Sequence, residues 1–155
     1  MTGDEVARFI SGITPSQVQP AGVDLRVSEL KVLDSQGILG AESRVVPEGR
    51  LVEPVDGWWS LEPGAYRIRF MEVVEVPGDS VGFCYPRSSL ARMGAMLGCG
   101  VWDPGYRGRG ESLLIVFNPY GLRLEVGARV AQLVYARLSR RPGRLYRGAY
   151  HGEGI

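Results

Sequence analysis

Histidine, lysine and asparagine each occur once in this chain of 155 residues, as His151, Lys31 and Asn118, and cysteine occurs twice, as Cys84 and Cys99. One histidine excludes a multi-histidine metal site within a chain and speaks against a buried Ser-His-Asp or Cys-His apparatus. The lone lysine stands in Glu29-Leu30-Lys31-Val32 with no glycine-rich loop before it, which rules out a Walker A phosphate loop. The cysteines form no C-x-x-C pair, so the zinc-deaminase signature is absent; they read as small buried hydrophobes, with a disulfide as the lesser alternative. A dominant charge is missing too. Eighteen Lys+Arg against 17 Asp+Glu leave a formal net charge of +1, too little to steer the chain toward nucleic acid or a membrane surface. No apolar run approaches the roughly 20 residues of a membrane span, and the opening MTGDEVARFI does not read as a signal peptide, so a soluble, cytoplasmic protein is expected.

What is present suits one globular domain: 45% apolar and 23% charged residues, punctuated by 22 glycines and 10 prolines. Only two stretches read as helix. Asp4–Ile10 places Val6, Phe9 and Ile10 on one side behind Thr2 or Asp4 as a cap, and Ser88–Met93 is the second. The rest reads as strands. Tyr66, Ile68 and Phe70 alternate with Arg67 and Arg69, the period of a half-buried strand. Further strands are expected at Val23–Val27, Val81–Tyr85, Leu113–Asn118, Leu122–Val126 and Val130–Leu138, separated by Pro77-Gly78-Asp79, Pro119-Tyr120-Gly121 and Gly127. Many short strands between Gly/Pro turns predict an all-β sandwich or barrel-like domain over residues 1–138, with residues 1–12 carrying the first helix. Ser35–Gly64 reads as a long excursion, with Trp58-Trp59 as a core or subunit-contact anchor. Residues 139–155 are basic, then rich in Gly and Tyr, and predict a flexible C-terminal arm.

Four segments could carry chemistry. Pro86-Arg87-Ser88-Ser89-Leu90-Ala91-Arg92 sets a guanidinium and two hydroxyls at a helix start, which suits a phosphate chain; the plain alternative is that Ser88 caps the helix and Arg87 is solvated. Gly100–Gly108 holds Asp103 beside Tyr106 in a Pro/Gly turn, where a carboxylate could take a proton from water while the ring packs on a sugar; the alternative is an ordinary turn. Ala21-Gly22-Val23-Asp24-Leu25 and Gly127-Ala128-Arg129-Val130-Ala131-Gln132-Leu133 each place one polar side chain in an apolar strand. Burial there demands a partner, either structural or a ligand.

In this order the four segments resemble the superfamily of deoxyuridine triphosphatases and deoxycytidine triphosphate deaminases. The resemblance spans Pro20 to Leu138 plus the tail. It implies a distorted β-barrel or jelly roll of short strands with one or two short helices, assembled as a homotrimer whose active sites are shared between subunits. It further implies that Asp103 activates or orients the attacking water. Tyr106 would pack under the deoxyribose, the backbone around Gly98 and Gly100 would read uracil, and Arg87, Ser88, Ser89 and Gln132 would hold the phosphates. Arg147 and Tyr150 would close over the nucleotide from the arm, Tyr150 or His151 covering the base. The implied cofactor is Mg2+, carried mainly by the triphosphate, with Asp24 touching its waters or serving as a structural partner.

One position separates the branches. The deaminases place a catalytic glutamate three residues before an asparagine; here Asn118 is preceded at that spacing by Ile115, which can neither give nor take a proton. Glu111 shares that strand face but lies about 13 Å away along an extended strand. The expected reaction is therefore dUTP + water → dUMP + pyrophosphate, with Asp103-Pro104-Gly105 as a deaminase-like departure. The rivals are a dCTP deaminase or bifunctional deaminase/triphosphatase, and a non-catalytic nucleotide-binding trimer. A nucleic-acid partner is not expected, since the scattered aromatics offer no continuous stacking groove.

Overall fold

Alternation decides which side chains reach the interior. In the strand Gly64–Phe70, Ile68 and Phe70 are fully buried while Arg67 and Arg69 turn to the opposite face, and Glu111–Val116 buries Ser112, Leu114 and Val116 in the same way. The computed structural model describes all 155 residues. Its central element is the 11-residue strand Gly22–Val32, which pairs antiparallel with Gly64–Phe70 on one side and with Arg129–Arg137 on the other. The sheet runs Ser80–Pro86, Arg129–Arg137, Gly22–Val32, Gly64–Phe70, Glu111–Val116, Ala95–Gly98, with Val18–Gln19 and Arg50–Leu51 as short additions on Gly22–Val32. Its two ends approach one another. A bridge between Gly82 and Trp102, just beyond Ala95–Gly98, joins them and leaves a nearly closed barrel. Inside lies one cluster of 26 buried apolar residues. The expected all-β architecture with two short helices is what the chain forms, and no helix is long and apolar enough to cross a membrane.

The helices differ from expectation at their ends. The first spans Gly3–Ala7 and stops short of Ile10 because Ile10 pairs with Val74 in a small sheet. Its start is set by Thr2 and Glu5, whose side chains and backbone amides satisfy one another in a capping box, an arrangement that contributes about 1 kcal/mol. The second spans Ser88–Arg92, and its cap residue is Arg87, not Ser88.

The excursion resolves into short, exposed strands, Ile38–Leu39 pairing Arg44–Val45, followed by Trp58–Leu61 pairing Leu122–Glu125. The two tryptophans part company. Trp59 is buried and its indole N–H donates to the Val52 carbonyl at 2.7 Å, whereas Trp58 is on the surface under the Arg123 guanidinium. A polar cluster that periodicity does not reveal braces the base of the barrel. Glu72, fully buried, accepts from Gln17 Nε2, the Arg26 amide and Arg26 Nε at 2.7–2.9 Å, so its charge is fully compensated.

Candidate functional site

Asp103 owes its place to the seam of the barrel. Trp102 is bonded to Gly82 through both backbone groups, and the chain then turns through Pro104 and Gly105 (φ +87°) so that the Tyr106 amide donates to the Asp103 carbonyl at 3.0 Å. The positive φ explains the glycine at 105. Trp102 and Tyr106 point inward, their rings edge to face at 5.1 Å, while the Asp103 side chain is exposed.

The exposed carboxylate borders two hollows. The first, about 550 Å3, is lined by Gly98, Gly100, Asp103 and Tyr106, by Ser35 and Pro47 of the excursion, and by Tyr146, Tyr150 and Glu153 of the arm. The second is a cleft where Asp103 and Pro104 face Arg144 and Arg147. A Cβ added at Gly100 would meet nothing in the protein, and one at Gly98 would make only ordinary contact with Leu113. Neither glycine is required by the chain's own packing, so their small size leaves room in the cavity itself.

Beside these glycines are two free thiols, the cysteines expected to be small buried hydrophobes. Cys84 is buried, and Cys99 lies 3.1 Å from the Ser112 hydroxyl. The Cys84 thiol and that hydroxyl support the Cys99 thiolate and bring Cys99 to about 7, while Cys84 is pushed well above its ordinary value. Arg67 and Glu111 of the cavity lining belong to an ion-pair ladder. Arg69 bridges Glu29 at 2.9 Å and Glu111 at 2.7 Å, and Glu111 continues to Arg67 at 3.0 Å. Arg67 then donates to the Pro47 and Glu48 carbonyls, fixing the excursion to the barrel. Glu111 is thus held by two arginines, and Ile115, four residues on, pairs with Met96 and Ala65 and lines neither hollow.

The residues expected to hold the phosphates lie elsewhere. Ser88 and Ser89 are exposed, and Gln132 lies in register between Tyr85 and Asp24. Asp24 is buried at 1% exposure and meets Arg87 at 3.3 Å and Arg129 at 3.4 Å. Burial pushes its carboxyl above the usual range, against the pull of both guanidinium groups. Arg87 is therefore half-buried and paired, more than a solvated charge, and Asp24 has the structural partner that its burial demanded. None of Arg87, Ser88, Ser89 and Gln132 lines the hollows at Asp103. The structure brings Gly98, Gly100, Asp103, Tyr106 and Tyr150 together, puts Arg147 in the adjoining cleft, and leaves Arg87, Ser88, Ser89 and Gln132 outside both.

Sequence reasoning missed Glu153 and Arg129. Glu153 accepts from the Tyr106 hydroxyl at 2.8 Å. The arm is docked, with the Tyr146 amide donating to Pro104, the Gly152 amide to Arg107, and the Arg109 amide to Glu153. No periodic signal marks a docked tail of glycines and tyrosines. Arg129, by contrast, stands three residues before Gln132 in a segment already singled out.

The profile of the family described as dCTP deaminase-like matches residues 3–138. A protein of Aeropyrum pernix named probable deoxyuridine 5'-triphosphate nucleotidohydrolase is 54% identical over 146 residues, 94% of this chain and 92% of its own. A protein of the same name from Methanosarcina mazei is 40% identical over 90% of this chain and 84% of its own. Among solved structures, the 2'-deoxycytidine 5'-triphosphate deaminase of Agrobacterium tumefaciens superimposes with a TM-score of 0.67 at 22% identity, covering 87% of this chain and 46% of the other. The profile over most of the chain and the kinship of the relatives agree, and the chain belongs to the dCTP deaminase-like family, alongside relatives named as dUTP nucleotidohydrolases.

Proposed function

We propose that this protein hydrolyses dUTP to dUMP and pyrophosphate, limiting uracil in DNA and supplying dUMP. The observation that carries the reading is the exposed Asp103 carboxylate on the lip between a glycine-walled cavity and an arginine-lined cleft. In this reading the base enters against Gly98 and Gly100, the deoxyribose rests on Tyr106, and the phosphates extend past Asp103 toward Arg147. Asp103 takes a proton from water as its oxygen attacks the α-phosphorus. The bond from that phosphorus to the bridging oxygen breaks, and pyrophosphate leaves with the electron pair. Positioning and charge compensation supply most of the rate.

Arg87, Ser88, Ser89 and Gln132 supply the remaining phosphate contacts from a second copy of the chain, because they line neither hollow beside the acid of their own copy. A homotrimer satisfies this with three equivalent shared sites. Exposed apolar side chains such as Leu39, Val55 and Phe117 give such an assembly surface to bury. The arm closes the site, Tyr150 covering the base.

The donor set fits a Mg2+ that arrives on the substrate. No three His, Cys, Asp or Glu side chains converge, and Asp24 already meets two arginines, so triphosphate oxygens and water would be its main ligands, with Asp24 reaching no further than those waters. When bound, the ion offsets charge on the phosphate oxygens.

The Asp-Pro-Gly turn is the feature shared with a deaminase reading, but Ile115 has no proton to exchange and Glu111 is locked between Arg67 and Arg69. The test is incubation with Mg2+ and each of dUTP, dCTP, UTP and dTTP, following pyrophosphate and ammonia separately. Pyrophosphate from dUTP without ammonia from dCTP is expected. Ammonia above background would overturn the reading of Ile115, and no pyrophosphate from dUTP would favour a binding module.

A further inference from the structure

The last residues of the arm do more than cover the cavity. The Gly152 amide donates to Arg107 at 2.8 Å and the Arg109 amide to Glu153 at 2.9 Å, so the arm pairs with the strand that follows Tyr106. That pairing delivers the Glu153 side chain into the cavity, where it accepts the Tyr106 hydroxyl at 2.8 Å. Tyr106 is 7% exposed and has no other side-chain hydrogen bond; Trp102 packs on one part of its ring at 5.1 Å and Tyr146 on another at 5.9 Å. Gly108 is part of the same fitting. A Cβ there would stand 2.7 Å from the Tyr106 hydroxyl and 3.1 Å from the Glu153 carbonyl, too close for either contact to survive unchanged. Burial, with Glu153 adding to it, raises the Tyr106 phenol far above its ordinary value, so it remains a donor across the neutral range.

We propose that Glu153 is a positioning residue for sugar selection: by holding the Tyr106 hydroxyl it fixes the ring plane against which a deoxyribose fits and a 2'-hydroxyl does not. The inference rests on the reading of Tyr106 as the sugar platform and extends it to the arm. Two consequences distinguish it from a general bracing role. A ring freed of its anchor tilts, which relaxes the exclusion of a ribonucleotide more than it weakens a deoxynucleotide. The two ends of one hydrogen bond also form one energetic unit, so removing both costs about as much as removing either.

The experiment compares Glu153→Ala, Glu153→Gln, Tyr106→Phe and the double variant Glu153→Ala/Tyr106→Phe. It measures kcat/KM for dUTP and UTP, and binding of their non-hydrolysable α,β-imido analogues by equilibrium titration. Glu153→Ala is expected to lower the dUTP-to-UTP preference about tenfold, as for a lost hydrogen bond to a charged group. Glu153→Gln, which keeps an acceptor at that place, should stay within about twofold of the parent. Tyr106→Phe should match Glu153→Ala, and the double variant should add little. Equal losses for both nucleotides, or additive losses in the double variant, would overturn the inference, as would a parent protein that binds the two analogues alike. A parent that prefers the deoxy analogue yet releases no pyrophosphate overturns the hydrolase reading alone, because the binding arm still measures discrimination.

Discussion

The two polar regions of this protein are built on opposite plans. Around Asp103 the surface is concave: glycines leave room, aromatic rings form the wall, and the acid itself is exposed. Around Arg87 it is outward-facing, with Ser88 and Ser89 exposed and the buried Asp24 holding Arg87 and Arg129 from beneath. One region has the acid and two hollows, with Arg144 and Arg147 in the cleft, and the other presents Arg87, Ser88 and Ser89 outside both hollows. Each supplies what the other lacks, which makes a shared site the economical reading of a single chain.

The largest expected effect is at the acid. Asp103→Asn should reduce pyrophosphate release from dUTP by about 10²–10⁴-fold, with an unchanged circular dichroism spectrum because the side chain is exposed. Activity that survives this change would end the proposed division of labour. The phosphate side comes next. Ser88→Ala/Ser89→Ala should raise KM for dUTP roughly 10-fold or more without loss of fold, each lost bond to a charged oxygen contributing about 1.5–3 kcal/mol. Co-expressing this variant with Asp103→Asn sharpens the comparison further. If a site draws its acid and hydroxyls from different copies, about a quarter of the sites in mixed assemblies regain both, and activity returns to that order. No recovery would mean that both halves act within one copy.

Arg87→Ala is a smaller, structural test. It leaves Asp24 buried with Arg129 as its remaining partner and should cost about 1–2 kcal/mol in denaturant titrations, the arginine's own 30% exposure keeping the figure low. Asp24→Asn in the same background should return part of it. The smallest effect concerns Cys99. Its folded value of about 7 is lowered from the ordinary thiol, so the thiolate fraction rises as pH passes upward through 7, and alkylation by iodoacetamide should accelerate there, not near 9. A bound dUTP analogue should slow it, since Cys99 lies between two cavity glycines.

Much of the barrel was legible because its strands carry their own period. Tyr66–Phe70 alternates strictly enough that burial follows from order alone, whereas Arg129–Arg137 buries the neighbours Val130 and Ala131 at a register shift and alternates only from there to Tyr135. The first part of the excursion was not legible, since Ile38–Leu39 and Arg44–Val45 expose their apolar residues and bear no core-facing pattern; only Trp58–Leu61, at its end, buries alternate side chains. The first helix ends early because Val74, 64 positions away in sequence, claims Ile10 as a strand partner. Asp103, Tyr106, Gly98 and Gly100 were readable from the order of their segments and do meet at one cavity. Glu153 was not, because its significance comes from a hydrogen bond spanning 47 residues, within a tail whose composition reads as unstructured. Still longer separations hid the partners of Asp24. Burial announced that it needed one, but nothing local could name Arg87 and Arg129 together.

The bridge at Gly82 and Trp102 carries a last implication. The acid stands a single residue beyond the closure between the sheet's first and last strands, where two backbone bonds hold what elsewhere a full ladder holds. Local opening starts at such weak joins. On gentle heating, turnover should therefore fade at temperatures where the far-ultraviolet β signal is still intact, and a cross-link placed over that join should extend working life more than one placed in the middle of the sheet.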